Sequence, residues 1–115
     1  MCIVEVQFNL RPDTDAGEMA RLFDELAVPI YRKIPGCISA NIYKYEAIGD
    51  NRSPEYDYAF IEVWESKEAN MKALSDKYIG FDGSQLQNTG FYNKLGALVT
   101  GIEIAARALP LGSGK

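Results

Sequence analysis

Glu62 is the residue whose neighbours best equip it for chemistry. It stands in Tyr-Asp-Tyr-Ala-Phe-Ile-Glu-Val-Trp-Glu, residues 56–65, where aromatic and branched side chains alternate with the period of a β-strand. One face of that strand carries Tyr56, Tyr58, Phe60, Glu62 and Trp64; the other carries Asp57, Ala59, Ile61, Val63 and Glu65. A carboxylate among aromatics has a raised pKa, which suits a general base. The structural alternative is a charge pair with Arg107 or Arg32, because a buried charge needs a partner. Trp64 offers a flat surface on which an aromatic ligand can stack; as a core residue it needs only an acceptor for its indole N–H. Tyr43 and Tyr58 can donate hydrogen bonds to a phenolate or enolate, or serve as cross-strand packing partners.

Other chemistries are excluded or disfavoured. The chain has no histidine, and so lacks the commonest general base near pH 7 and the commonest transition-metal ligand. Its two cysteines, Cys2 and Cys37, are not spaced as a CxxC pair and read as reduced thiols. The carboxylates show no ligand spacing, so no metal and no cofactor are expected. No glycine-rich phosphate loop is present. A net charge of −4 without a basic run argues against nucleic acid and against anionic membrane surfaces. No apolar stretch is long enough to span a bilayer, and the first residues read as a strand without a basic leader, so the expected location is the cytoplasm.

A strand without a solvated face belongs in the middle of a sheet covered on both sides. The rest of the chain must supply that sheet and its covers. Residues 2–10 alternate, with Val4, Val6, Phe8 and Leu10 on one face and Glu5, Gln7 and Asn9 on the other. Arg11-Pro-Asp13 ends this strand, and Asp15 with Glu18 approximates a capping box for a helix. That helix carries a stripe of Met19, Leu22, Phe23, Leu26 and Ile30. Pro29 lies inside it and should kink it or start a separate last turn. A second strand runs over 37–48, where Ile38, Ala40 and Ile42 alternate with Cys37, Ser39, Asn41, Tyr43 and Tyr45, and Ile48–Pro54 is a turn-rich loop. After the strand at 56–65, Ser66 caps a helix reaching about Tyr78. Ser84-Gln-Leu-Gln87 is a second capping box, opening a helix through Phe91, Leu95 and Leu98 that Gly90 weakens by roughly 1 kcal/mol. Residues 100–108 read as the last strand. The single domain spans 1–109, with a flexible tail at 110–115.

The order β-α-β-β-α(α)-β is that of an α+β, ferredoxin-like split βαβ fold with a four-stranded antiparallel sheet and helices on one face. The face without helices is too apolar for water, so a second copy should cover it, forming a dimeric α/β barrel as a homodimer.

Ile34-Pro-Gly36 leading into Ser39-Ala-Asn41, and Phe60-Ile-Glu-Val-Trp64-Glu-Ser66 running into an alanine-containing helix, resemble the antibiotic biosynthesis monooxygenase type of dimeric α/β-barrel domain over roughly residues 2–108. The resemblance implies a pocket in each protomer between sheet and helices, with the other sheet face as the dimer seam. The polar-aromatic face would gather Gln7, Asn9, Asn41, Tyr43, Tyr58, Glu62, Trp64, Glu103 and Arg107, with Phe23 and Phe60 as apolar lining. Periodicity alone leaves open whether that face is pocket or seam. Trp64 matches the tryptophan that family members carry at the end of this strand. Asn9 corresponds in type to a first-strand asparagine that holds a substrate oxygen or dioxygen, and Asn41 is a second candidate; strand-end asparagines also commonly satisfy backbone groups. Haem-degrading members, and many quinol oxygenases of this type, place a histidine in the helix after the tryptophan strand; this chain has none, which argues against haem degradation and departs from those quinol oxygenases. The resemblance still favours an enzyme: a cofactor-independent monooxygenase of a small aromatic, quinol or polyketide-like compound, with Asn9, Asn41, Tyr58, Glu62 and Trp64 catalytic and Gln7, Tyr43, Phe60, Phe23 and Arg107 binding substrate. Two alternatives stand beside it, a cyclase or isomerase doing proton transfer on the same scaffold, and a non-catalytic dimeric ligand-binding or stress-related domain.

Overall fold

The structure, a computed structural model, describes residues 1–49, 55–80 and 82–112, and of residues 101–106 the backbone alone. Strand β1 (Cys2–Leu10) is followed by α1 (Ala16–Leu22), a π-helical turn (Phe23–Ala27) and the short α2 (Val28–Tyr31). Strands β2 (Cys37–Lys44) and β3 (Tyr58–Trp64) come next, then α3 (Lys67–Leu74), α4 (Gln85–Asn88), α5 (Phe91–Leu98) and β4 (Val99–Ala108). The sheet order is β2-β3-β1-β4, all neighbours antiparallel. This is the expected ferredoxin-like arrangement, and β3 is central in it.

Register assigns the faces. Cys2, Val4, Val6 and Phe8 of β1 stand opposite Trp64, Glu62, Phe60 and Tyr58 of β3, so these eight share one side of the sheet. The helices cover that side. Phe23, from the π turn, stacks on Phe8 at 5.7 Å and on Phe60 at 4.9 Å, and meets Phe91 of α5 edge-on at 5.0 Å. Ala59, Ile61 and Val63 share the other side with Ile3, Glu5, Gln7, Ser39, Asn41 and Tyr43.

Local signals account for most boundaries. Asp15 accepts from the Gly17 N–H at 3.1 Å, Ser66 from the Ala69 N–H at 3.1 Å, and Ser84 from the Gln87 N–H at 3.1 Å, satisfying helix-start donors. Pro29 begins a separate turn, as its position predicts. The π turn absorbs the change: the Val28 N–H bonds the Phe23 carbonyl, five residues back, immediately before the residue that has no N–H to offer. Gly36 adopts φ +88°, and a Cβ there would come within 2.6 Å of the Ala69 Cβ, so the turn into β2 and helix α3 approach too closely for any side chain.

Three boundaries differ from expectation. The helix after Ser66 ends at Leu74, where Asp76 turns the chain by accepting from the Tyr78 N–H at 2.8 Å. The helix expected from Ser84 through Leu98 is two helices, because Gly90 takes φ +80° between them instead of merely weakening one. Strand β2 stops at Lys44, with Tyr45 bound through its N–H to the Asp57 carbonyl at 2.7 Å. Of the loop expected at 48–54 and the tail at 110–115, residues 50–54 and 113–115 lie outside the described residues.

Candidate functional site

Phe60, Glu62 and Trp64 point beneath the helices because successive strand residues alternate and this set is the more aromatic one. Trp64 has no exposed surface and Glu62 is 4 % exposed. The Trp64 Nε1–H donates to Glu62 Oε1 at 3.0 Å, a bond between two residues of one strand face. Tyr31, from α2, hydrogen-bonds the same carboxyl through its hydroxyl. Its ring meets Phe60 edge-on at 5.1 Å and Trp64 at 6.3 Å, which fixes the hydroxyl's direction.

Electrostatics at Glu62 follow from this shell. Burial pushes its carboxyl up to about 7, while the Trp64 and Tyr31 donors pull the other way by favouring the ionised form. The arginine partner considered from sequence is not there: among the described residues no cation contributes to the setting of Glu62, Arg32 is exposed, and Arg107 bonds Asn70 instead. Burial, and then the nearby Glu62 charge, raise Tyr31 well above its ordinary range, raise Tyr92, and raise the Cys37 thiol to about 11. A carboxyl held by two donors and half-ionised near neutrality can accept a proton and return it.

The sequence-predicted residues divide between the two faces. Phe23, Tyr58, Phe60, Glu62 and Trp64 come together beneath the helices, and Arg107 shares their side because it stands opposite Val4. Gln7, Asn9, Asn41 and Tyr43 do not join them. Register puts these four on the opposite face, so the single polar-aromatic face expected from sequence is in fact two. There the Gln7 Nε2–H donates to the Tyr45 hydroxyl at 3.0 Å, and that hydroxyl donates to Glu5 Oε1 at 2.6 Å. Asn9 accepts from the Asp57 N–H at 2.7 Å and donates to the Glu55 carbonyl at 3.4 Å, pinning the entry to β3. Asn41 and Tyr43 are exposed. Glu103 stands opposite Gln7 in register; its side chain lies outside what is described.

Cross-strand register sets the four apart, and bulges explain the placement of Arg107 and Cys37. Ile104 faces Val6 and Arg107 faces Val4, so an extra residue in β4 brings Arg107 to the helix side although it is odd-numbered like Glu103. A similar irregularity at the start of β2 sets Cys37 opposite Trp64 while Ser39 faces Val63. Sequence reading missed Tyr31, Tyr92 and Asn70. The spacing Phe23, Ala27, Tyr31 was the available signal for the first. Tyr92, which also donates to the Ile79 carbonyl at 2.9 Å, sits beside the apolar stripe of α5 and gave none.

An open groove of about 370 Å³ lies elsewhere, between α1 and α5, lined by Glu18, Arg21, Leu22, Glu25, Lys94, Ala97 and Leu98; it includes none of the residues around Glu62. Among the described residues no three acidic or thiol side chains converge as a metal site, and no helix is long and apolar enough to cross a membrane.

Fold and site together define a ferredoxin-like α+β domain with a buried, hydrogen-bonded carboxyl. Residues 1–77, two thirds of the chain, match the antibiotic biosynthesis monooxygenase family, and the chain belongs to that family. Among curated proteins none matches it significantly in sequence. Several solved structures share the fold. Rv0793 from Mycobacterium tuberculosis is 18% identical with a TM-score of 0.63, covering 99% of this chain and 98% of its own. HapK from Hahella chejuensis is 11% identical with a TM-score of 0.64, covering 100% and 97%. SnoaB, a cofactor-independent oxygenase from Streptomyces nogalater, is 20% identical with a TM-score of 0.54, covering 95% and 96%.

Proposed function

We propose that this chain is a cofactor-independent monooxygenase of a small aromatic, quinol or polyketide-like compound, with Glu62 as its base. The observation that carries the reading is the Glu62 carboxyl itself, buried, free of any cationic partner among the described residues, and raised to about 7. Family membership supports the reaction class, and one protein of the same fold is described as a cofactor-independent oxygenase.

In this reading Glu62 removes a proton from an acidic O–H or C–H of the substrate. The resulting electron-rich anion reduces dioxygen directly and forms a C–O bond to it. Loss of water from the hydroperoxide leaves one oxygen in the product as a carbonyl and carries the other away. Trp64 acts through its N–H, aiming the carboxylate, and Tyr31 steadies charge as it moves on and off Glu62. Phe23, Phe60 and Tyr58 keep the surroundings dry, which strengthens each of these interactions.

A second copy covers the open face in the same reading, where Tyr43 is 47% exposed and Ile3, Ile61 and Val63 are half-buried. Sedimentation of the purified chain is expected to give a homodimer, with Ile61→Asp shifting it to monomer; a monomeric parent chain refutes the seam.

The functional test is oxygen uptake with 1,4-dihydroxynaphthalene above its spontaneous oxidation. Uptake that Glu62→Gln abolishes supports the oxygenase. Glu62-dependent proton exchange into the substrate without uptake points to the cyclase or isomerase reading, since Glu62 with Tyr31 suffices for proton transfer alone. Neither activity removes the enzyme reading.

A further inference from the structure

Arg107 lies near the end of edge strand β4, half-buried, on the helix side. Its Nε–H donates to Asn70 Oδ1 at 2.6 Å. Asn70 comes from α3 and is 2% exposed, so its amide is a fixed point. That bond uses one of the five N–H donors of the guanidinium fork. Among the described residues nothing takes the four on the terminal nitrogens.

The choice of partner matters. An aspartate at position 70 would orient the fork and also cancel its charge. An asparagine orients it and leaves the charge whole. A guanidinium held in direction, uncompensated, with its two-pronged end open is suited to bidentate binding of a planar anion. Its position is equally specific. Arg107 faces Val4 across one strand pair, and Val4 faces Glu62 across the next, all on the same side. Two strand spacings separate Arg107 and Glu62 by about 10 Å of backbone, close to the length of a fused bicyclic ring with one substituent.

We propose that Arg107, oriented by Asn70, binds the anionic group of an acidic aromatic substrate, a ring carboxylate or oxyanion, while the opposite end of that substrate meets Glu62. The proposal rests on the reading of Glu62 as the base and narrows its substrate class to acidic hydroxyaromatics. Arg107 touches the substrate; Asn70 is a positioning residue that acts through it.

Anaerobic titration calorimetry tests this with two probes, 1,4-dihydroxy-2-naphthoate and the neutral 1,4-dihydroxynaphthalene. The parent chain is expected to bind the carboxylated probe at least about tenfold more tightly, the effect of one charge-assisted bidentate contact. Arg107→Met should erase that preference and keep the affinity for the neutral probe, which also reports that the site is folded. Asn70→Asp is the sharper variant. It keeps an acceptor for the Arg107 Nε–H, so a purely structural role predicts an unchanged preference; the proposal predicts that the preference falls with no loss of thermal stability. An unchanged preference in Arg107→Met overturns the proposal, as does the absence of binding by either probe. Oxygen uptake is read separately. Arg107-dependent binding without uptake keeps the anion site and removes the oxygenase; uptake that Arg107→Met leaves equal for both probes does the reverse.

Discussion

The two faces of this sheet draw on the same residue types and use them differently. Beneath the helices, the Tyr31 hydroxyl and the Trp64 N–H hold one buried carboxyl and the amide of Asn70 holds one guanidinium. On the open side, Tyr45, Gln7, Glu5 and Asn9 bond one another and the backbone, near water. What separates a chemical group from a structural one is therefore the dielectric around it. A carboxylate near solvent, such as Glu5, accepts a tyrosine hydroxyl and has only structure to hold; a carboxylate against Trp64 has its proton affinity moved to the middle of the physiological range.

The contrast can be broken most directly by exchanging amides for acids. Glu62→Gln is expected to lower the turnover number by 10²–10⁴, roughly the contribution of a positioned base, whereas Asn41→Ala on the open face should leave it within about threefold. Steady-state oxygen uptake checks both, and equal losses would dissolve the distinction between the faces. For stability the matched pair is aromatic. Truncating buried Phe60 to Ala should cost about 3–5 kcal/mol in urea denaturation, and truncating exposed Tyr43 to Ala about 0.5 kcal/mol or less at concentrations where the chain is monomeric.

Protonation sharpens the comparison further. Glu62 ionises near 4.5 when unfolded and near 7 when folded. Between those values the unfolded chain has released a proton that the folded chain retains, so stability is full below about 4.5 and falls as pH rises to 7. The loss is on the order of 3 kcal/mol, and Glu62→Gln should flatten it; denaturation midpoints across pH 4–8 measure this. The base works only when ionised, so activity should rise over the range in which stability falls. A modest effect on stability alone is expected at Asn9. Asn9→Ala should cost about 1 kcal/mol through the lost anchors on Glu55 and Asp57, with kcat unchanged.

Much of this was legible in the chain. The alternation at 56–65 identified β3 as central and paired Glu62 with Trp64 on one face. The capping residues Asp15, Ser66 and Ser84 marked real helix starts. Bulges were not legible, because an extra residue in an edge strand leaves no mark on composition. A strict period of two therefore kept Arg107 with Glu103 and Cys37 with Ser39, when each of these pairs is divided between faces. Periodicity also sorts residues within one strand only, and says nothing of which face of one strand adjoins which face of the next. That is why Gln7, Asn9, Asn41 and Tyr43 seemed to belong with Glu62. Tyr31 escaped for a related reason: the π turn adds a residue to the helical count, and the stripe read at strict α spacing ended on Ile30.

That added residue makes Pro29 a keeper of alignment. A proline inside a helix is ordinarily a defect to engineer away, and Pro29→Ala would restore the missing N–H and favour an unbroken α-helix. Removing the π turn would then rotate everything beyond it by about 100° relative to Phe23. Phe23 would keep its stack on Phe60, and Tyr31 would turn off the Glu62 carboxyl. A stabilising edit, judged by helix propensity alone, would in this protein throw the acid and its hydroxyl partner out of phase.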